Sequence, residues 1–516
     1  MSKAKKILIG FCILILLSSN FLPVEIGKAR EVRHLYKKNF VPGIFRNFGF
    51  IGQNNEIING SGWPQVYDGG YDDVALGIAI DSSGNVVVTG ESNDSLSYNF
   101  YTIKYDSNGN ELWNATYDSG GEDLAMGITI DSNDNIIVVG FTGIFDLIPE
   151  GCFHIIKYDK NGKELWNKSY KMGETSIPYA VAVDSEDNII ITGNRLKYGF
   201  GGIELPCWTV KCDGKNGNQI WNRTYQVGAQ DSGMGIAVDS NDNIIIAGLS
   251  GTFSSIACFT VKYDKYGNKL WEKRYAKMAI AYDVAVDSHD NIIVAGYNFS
   301  KYYQTDYYIS KLNKDGNQIW TKRYDSGKSE AATSVAIDSN NNIIIGGYIF
   351  EGGNFWQCTL MYGENGEEKW VKMPSINGAI YDVAIDSSNA IIVTGGIQRE
   401  TADYYTTKYF DTTPPSIQMK KPRERCLYVF DKEIMSLPSK TIIIGRITIE
   451  AVAEDESGID RIEFYIDDRL KGTVETEPYV WLWDESSFWK HRIKAIAYDN
   501  TGTISIDERE VLIFNL

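Results

Sequence analysis

Histidine and cysteine are scarce in this chain, which has four histidines and seven cysteines among 516 residues. The histidines stand in unrelated contexts without a nucleophile motif, so the sequence indicates no catalytic acid, base or nucleophile. The cysteines lack the paired spacing of metal sites. Most are expected to be buried thiols, and no disulfide is predicted.

Clusters of basic residues are also rare. The chain has 67 acidic and 50 basic residues and a net charge of −17. Beyond short amino-terminal groups, only residues 420–425 concentrate lysine and arginine. A nucleic acid is therefore not expected as a partner.

Long apolar runs are absent except at the start of the chain. Basic residues in 1–6 precede the apolar residues 7–17, a run shorter than the roughly 20 residues that a membrane-spanning helix needs. This pattern predicts a secretory signal over 1–29, followed by a linker over 30–58. No span is expected after signal removal, although retention of the run as an anchor stays open. The predicted location is secreted or cell-surface.

A repeat of about fifty residues dominates the rest of the chain, and it predicts units that pack against their neighbours. Each copy places a tryptophan before a turn aspartate. The turn aspartates are Asp81, Asp131, Asp184, Asp239, Asp287, Asp338 and Asp386. Around Asp131, strands are expected at 126–130, 135–140, 153–158 and 164–170, with Asp, Asn and Gly in the turns. Four strands in each of seven copies predict an all-β fold, a seven-bladed β-propeller over 59–411.

The last copy lacks its tryptophan strand, because Pro414 and Pro415 follow soon after residues 404–409. A matching segment stands at the start, where Trp63 and Tyr67 keep the spacing of Trp113 and Tyr117. We therefore expect residues 63–67 to complete the last copy and close the propeller, removing exposed sheet edges.

Two repeated cores, Ala-Ile-Asp-Ser-x-x-Asn-Ile-Ile-Val-x-Gly and Lys-Tyr-Asp-x-x-Gly-Asn-x-Leu-Trp, resemble the seven-bladed propeller repeat known as SBBP. That repeat occurs in secreted and surface proteins of bacteria and archaea. The resemblance covers residues 61–410 and implies the fold, whereas propellers host unrelated activities.

Residues 412–516 lack the repeat and predict an immunoglobulin-like β-sandwich, with strands at 442–453, 461–466, 479–483, 491–498 and 504–514. Segments 455–467 and 497–502 resemble immunoglobulin-like modules of microbial surface proteins, without the antibody-type cysteine pair. The resemblance implies a spacer or adhesive module.

The turn motif Asp-Ser-x-x-Asn invites a calcium interpretation, but an aliphatic strand follows where a helix-flanked calcium loop needs a glycine and a distal glutamate. A hairpin turn is therefore favoured. No cofactor is expected, and calcium stays open at a second set of carboxylates. These candidate metal ligands are Asp73, Asp123, Asp231, Glu330, Asp283 and Asp382. They could surround one channel mouth, or they could be acidic loop residues in contact with solvent.

Small residues recur on the first strand of each copy, such as Gly77 and Ala79. Because side chains alternate between faces, they share one face, which is expected to line a central channel. Sequons predict glycosylation candidates, with outward-facing strand residues as the alternative. They are Asn59, Asn93, Asn114, Asn167, Asn222 and Asn298.

Two functional classes fit these features. In the first, the chain is a monomeric, non-catalytic binding or adhesion protein whose irregular segments 91–99, 141–151 and 194–206 recognise an extracellular glycan or protein. In the second, it is a propeller enzyme such as a quinoprotein-like dehydrogenase. That alternative rests on residues 159–166, which resemble the tryptophan-docking motif of those enzymes. The adjacent cysteines of the cofactor-bearing type are absent, so binding is favoured.

Overall fold

The computed structural model describes residues 62–144, 150–171, 175–199, 202–252, 255–299, 304–374, 376–399, 401–409, 414–455, 459–499 and 504–515. The predicted signal, the linker and Asn59 lie outside these ranges. The described part of the chain consists of β-strands, turns and irregular segments without a helix. It accordingly contains no helix with the length and apolar character needed to cross a membrane.

The described residues form two compact units. The first contains the described residues up to 359 together with 363–367 and 376–408, and the second contains 360–362, 368–374 and the described residues from 409 onward.

The repeat region contains strands β1 to β29. In chain order they are β1 (Gln65–Tyr67), β2 (Asp73–Ile80), β3 (Val86–Asn93), β4 (Tyr98–Tyr105), β5 (Glu111–Tyr117), β6 (Glu122–Ile130), β7 (Ile136–Ile144), β8 (Glu150–Tyr158), β9 (Glu164–Tyr170), β10 (Thr175–Val183), β11 (Ile189–Gly199), β12 (Gly202–Glu204), β13 (Cys207–Cys212), β14 (Gln219–Tyr225), β15 (Gln230–Val238), β16 (Ile244–Thr252), β17 (Ser255–Tyr263), β18 (Lys269–Lys277), β19 (Ala279–Val286), β20 (Ile292–Phe299), β21 (Thr305–Leu312), β22 (Gln318–Tyr324), β23 (Ser329–Ile337), β24 (Ile343–Glu351), β25 (Asn354–Tyr362), β26 (Glu368–Lys372), β27 (Gly378–Ile385), β28 (Ile391–Gln398) and β29 (Ala402–Tyr409).

These strands pair in antiparallel groups that follow the sequence repeat. Groups 1 to 6 are β2–β5, β6–β9, β10–β14, β15–β18, β19–β22 and β23–β26, and group 7 is β27–β29 with β1. A single parallel bridge between Thr175 and Gly151 joins groups 2 and 3 into one sheet. The four strands expected around Asp131 are confirmed, and the first three extend a few residues beyond the predicted ends.

The first and last parts of the repeat region are paired as expected. Strand β1 lies antiparallel to β29, with Gln65 opposite Thr406 and Tyr67 opposite Tyr404. The five separate four-stranded groups, group 7 among them, nevertheless keep an edge strand at either end, so the expectation that this pairing removes sheet edges is wrong. Its effect is to give group 7 its fourth strand.

The first strands of successive groups lie side by side. Strand β2 contacts β6, and contacts of this kind continue through β10, β15, β19 and β23 to β27, which also contacts β2. Between groups 1 and 2, Val87 and Phe100 pack in one apolar cluster with Ile128, Ile136 and Val138, and Ala79 packs against this cluster.

The small residues therefore have a packing role that the sequence interpretation missed. A Cβ added to Gly77 would lie 3.1 Å from the Ile128 side chain. Because Gly77 and Ala79 share a face, the small residues of one group accommodate the branched side chains of the next. The first strands of neighbouring groups thus pack too closely to accommodate larger side chains at these positions.

The described residues of the second unit from 414 onward form two sheets. Its strands are β30 (Ser416–Lys421), β31 (Cys426–Val429), β32 (Lys432–Ser436), β33 (Thr441–Ile444), β34 (Ile447–Glu454), β35 (Ile459–Ile466), β36 (Arg469–Val474), β37 (Val480–Trp483), β38 (Ser487–Asp499) and β39 (Ile504–Asn515). One sheet has the order β30-β34-β37 and the other β32-β31-β33-β39-β38-β35-β36. Trp483, Phe464 and Ile449 belong to their shared apolar core.

One predicted strand of this unit, 442–453, is in fact two strands in different sheets. Gly445 separates them with a φ of +82°, and a Cβ there would lie 2.5 Å from the Phe430 ring. Glycine adopts this left-handed conformation without strain, so the chain can leave one sheet and enter the other.

Candidate binding face and carboxylate sites

The loops of the strand groups differ between the two ends of the strands. In antiparallel groups, the turns after the first and third strands share one end, here called the regular face. The segments after the second and fourth strands share the other, here called the variable face. The turns after the first strand all have five residues, and those after the third strand have five or six. The segments after the second strand range from two residues between β24 and β25 to an inserted strand, β12.

The regular face is built on the repeated aspartate. In the second group, Asp131 Oδ1 accepts hydrogen bonds from the backbone N–H groups of Asn133 and Asn135, each at 2.9 Å. Its Oδ2 accepts from the Asn135 side chain at 2.9 Å. The motif thus satisfies the backbone of a tight turn, which supports the hairpin interpretation.

A buried lysine completes each of six such turns. Lys157 Nζ lies 2.7 Å from Asp131 Oδ2. The Lys157 side chain is 7% exposed and the Asp131 side chain 1%. Burial raises the pKa of Asp131, but hydrogen bonds from Lys157 and Asn135 outweigh it, so the net pKa is lowered. The other pairs are Asp81–Lys104, Asp184–Lys211, Asp239–Lys262, Asp287–Lys311 and Asp386–Lys408. In the sequence of the sixth copy, methionine (Met361) takes the lysine position.

Serines link these turns from one group to the next. Ser82 donates from its backbone N–H and its hydroxyl to Asp134, at 2.9 and 2.8 Å. Asp134 has a φ of +60°, a conformation that Asp and Asn tolerate. Equivalent contacts are Ser132–Asp187, Ser185–Asp242, Ser240–Asp290, Ser288–Asn341 and Ser339–Asn389. The first group has Gly84 at this position, with a φ of +78°.

The repeated tryptophans make a second set of links. Trp113 Nε1 donates to the carbonyl of Lys160 at 3.2 Å, and the Lys104 ammonium donates to the same oxygen at 3.0 Å. Trp63, which precedes β1 of group 7, likewise donates from its Nε1 to the Ser107 carbonyl of group 1 at 3.1 Å. In residues 159–166, the motif that prompted the quinoprotein comparison, Trp166 Nε1 has no hydrogen-bond partner, but a Cβ added to Gly217 of the next group would lie 3.0 Å from the Trp166 ring. The motif therefore packs against the next group.

The variable face carries four of the predicted metal ligands, and each folds its own loop. Asp73 accepts from the Gly69 N–H at 2.6 Å, and Asp123 from the Ser119 N–H at 2.6 Å. Asp231 accepts from the Val227 N–H at 2.7 Å, and Glu330 from the Ser326 N–H at 3.1 Å. All four are buried. They are thus not solvated loop residues, and calcium binding by them stays a prediction.

The other two predicted carboxylates are brought together on the first strands. Ser334 Oγ lies 3.1 Å from Asp283 Oδ2 and 2.7 Å from Asp382 Oδ1. The carboxylates also accept from the backbone N–H groups of Val335 and Ile78, each at 2.9 Å. They therefore bridge neighbouring strand groups.

The contacts of Ser334 indicate that one of the two carboxyls, Asp283 or Asp382, is protonated. The Ser334 hydroxyl has one proton to donate, so hydrogen bonds to both carboxyls require a second proton on one of them. Burial, with the charge of Asp382, raises the pKa of Asp283 to about 7. Burial raises the pKa of Asp382 to about 6, against the opposing effect of its hydrogen bonds. Sequence reasoning missed Ser334, although it aligns with Asp283 and Asp382 in the repeat.

The remaining predicted positions vary in exposure. Asn114 and Asn167 are exposed on outer strands, whereas Asn93, Asn222 and Asn298 are half-buried. Glycosylation at all of them stays a prediction. The described cysteines have free thiols, and all except Cys152 are buried.

Comparison with known proteins identifies the carboxy-terminal domain and finds distant similarity elsewhere. An uncharacterized WD repeat-containing protein of Acanthamoeba polyphaga mimivirus is 28% identical over 23% of this chain, which spans 12% of that protein.

Two solved structures are 12% identical to the chain. The extracellular domain of a putative hybrid two-component system from B. thetaiotaomicron has a TM-score of 0.44, with 86% of this chain and 55% of that one covered. Sqt1 of Chaetomium thermophilum has a TM-score of 0.42, with 67% and 98% covered. Residues 433–505 match the family described as Bacterial Ig domain, which identifies the carboxy-terminal domain.

Proposed function

We propose that this chain is an exported or cell-surface, non-catalytic binding protein whose repeat region is a closed seven-bladed β-propeller of the SBBP type. The pairing of β1 with β29 and the contact of β27 with β2 support this architecture. The Bacterial Ig domain then acts as a spacer or adhesive module. The basic and apolar residues of 1–17 support export, which detection of the processed chain outside the cell tests.

The contrast between the two faces carries the functional proposal. The turns of the regular face have nearly constant lengths and are held by hydrogen bonds within and between groups, so the scaffold is rigid. On the variable face the segments differ in length and chemistry, as is typical of recognition loops on a fixed framework. Leu96, at the tip of the β3–β4 loop, is 87% exposed. The ligand class is an extracellular glycan or protein.

Site-directed blocking tests this assignment. The full chain is first screened against glycans and envelope proteins, and Leu96→Cys and Ser83→Cys variants are then coupled to a polyethylene glycol maleimide. Ser83 is exposed in a turn of the regular face, so it serves as the matched control. Coupling at position 96 is expected to weaken binding at least tenfold and coupling at position 83 to leave it unchanged.

Weakened binding after coupling at position 83, with unchanged binding after coupling at position 96, would contradict the variable face as the binding surface. Dye-linked turnover after reconstitution with a quinone and calcium would contradict a non-catalytic role.

A further inference from the structure

An acidic cluster lies on the variable face between groups 5 and 6. Asp306 belongs to β21, Asp325 follows β22, and Glu330 belongs to β23. One ligand oxygen from each lies within 4.8 Å of the other two. Two oxygens on opposite sides of a calcium ion, each about 2.4 Å away, are about 4.8 Å apart, so a single ion can contact all three carboxylates.

Glu330 supplies an independent indication of a ligand. Its Oε1 accepts from the Ser326 N–H, the Ser326 hydroxyl and the Lys328 N–H. Its Oε2 is buried and has no hydrogen-bond partner, and the residue as a whole is 0% exposed. A buried carboxylate oxygen without a partner is costly, and either a proton or a cation removes that cost.

The charges around the cluster favour a cation. Arg323 contacts Asp306 and lies 3.5 Å from Asp325. It brings one positive charge to three carboxylates, and its side chain is 44% exposed, so it can move into solvent.

The corresponding junction between groups 3 and 4 differs and provides a control. By alignment of the repeats, Pro206, Gln226 and Asp231 occupy the three positions there. Both oxygens of Asp231 have partners, since Oδ2 accepts from the N–H groups of Val227 and Gly228 and Oδ1 accepts from the Ser250 hydroxyl. A buried carboxylate at this position therefore does not by itself leave an oxygen unsatisfied.

We infer that Asp306, Asp325 and Glu330 form a site for a divalent cation of the calcium type, which ties group 5 to group 6. The carboxylate oxygens are hard ligands suited to Ca²⁺, whose flexible geometry accepts ligands from an irregular loop together with water. The inference is independent of the proposed binding function. Two of its three ligands, Asp306 and Asp325, were not among the carboxylates singled out from the sequence.

Calcium titration calorimetry on the chelator-treated full chain tests the site. Glu330→Gln is expected to lower the number of bound calcium ions by one and Asp231→Asn to leave it unchanged. Terbium provides a second readout, because Tyr307 and Tyr324 adjoin two of the ligands in sequence, and their rings lie 5.9 Å apart. Glu330→Gln should remove the terbium luminescence that these tyrosines sensitise.

Asp325→Asn guards against a folding defect, because that side chain is 50% exposed. Asp325→Asn should also lower the number of bound calcium ions by one. If Glu330→Gln does not fold, this variant alone tests whether the site binds calcium. Absence of saturable calcium binding in the native chain would overturn the inference. An unchanged number of ions in Asp325→Asn would overturn it as well.

Discussion

Substitution of Trp63 tests how strongly the first strand contributes to the fold. Trp63 is 4% exposed, and its ring meets Tyr105 edge-on at a centroid distance of 5.7 Å. It belongs to an apolar cluster with Ile78 and Val86 of group 1 and Tyr404 of group 7. Removal of a buried tryptophan side chain to alanine costs about 3–5 kcal/mol. This cost includes about 1 kcal/mol for the lost hydrogen bond to the Ser107 carbonyl.

We therefore expect Trp63→Ala to lower the free energy of unfolding by about 3–5 kcal/mol. Urea unfolding followed by circular dichroism measures this loss. Trp113→Ala is the matched control, since Trp113 makes the same contact but is only half-buried, and its loss should be smaller. A loss below about 1 kcal/mol for Trp63→Ala would refute the reasoning, because surface positions give values of that size.

Three further predictions concern the links between groups and the buried ion pair of the regular-face turns, all followed by urea unfolding. Gly84→Asp should be about 1 kcal/mol more stable than Gly84→Ala, because both side chains must adopt the left-handed backbone of Gly84 but only Asp supplies the acceptor found in the other turns; Ser387→Ala, at the serine position of the seventh turn, should remove this difference. Asp382→Asn imitates the protonated carboxyl. Since the raised pKa values of Asp382 and Asp283 stabilise the fold at low pH and lose that effect as pH rises through about 6–7, the variant should reduce this decline. Lys157→Met leaves a buried carboxylate unpaired and should cost about 3 kcal/mol at pH 7, less below pH 4; an equal loss at both pH values would contradict the ion pair.

The regular features of the fold could be predicted because each copy repeats the same local chemistry. The turn aspartates, the strand order around Asp131 and the pairing of residues near Trp63 all follow from the register of the repeat. The break at Gly445 could not be predicted, because the apolar run continues on both sides of it and the Phe430 contact is distant in sequence.

The candidate carboxylates show the limit of the same reasoning. Sequence offsets placed Asp73 and Asp382 in one set, but the first begins a strand and caps a loop, whereas the second lies within its strand and contacts Ser334. Which partners a carboxylate finds across a junction depends on packing between copies, which the repeat alone does not specify. Asp306 was missed for this reason, since its neighbours belong to other strands.

A cross-strand disulfide tests most directly whether the first strand closes the repeat region within one chain. Gln65 lies opposite Thr406, and residues opposite each other in antiparallel strands are close enough for a disulfide. Oxidation of the Gln65→Cys/Thr406→Cys variant should give a bridge within the monomer, identified by mass spectrometry, while Gln65→Cys/Thr407→Cys should give much less. Bridges only between chains, or equal yields from both pairs, would contradict the account.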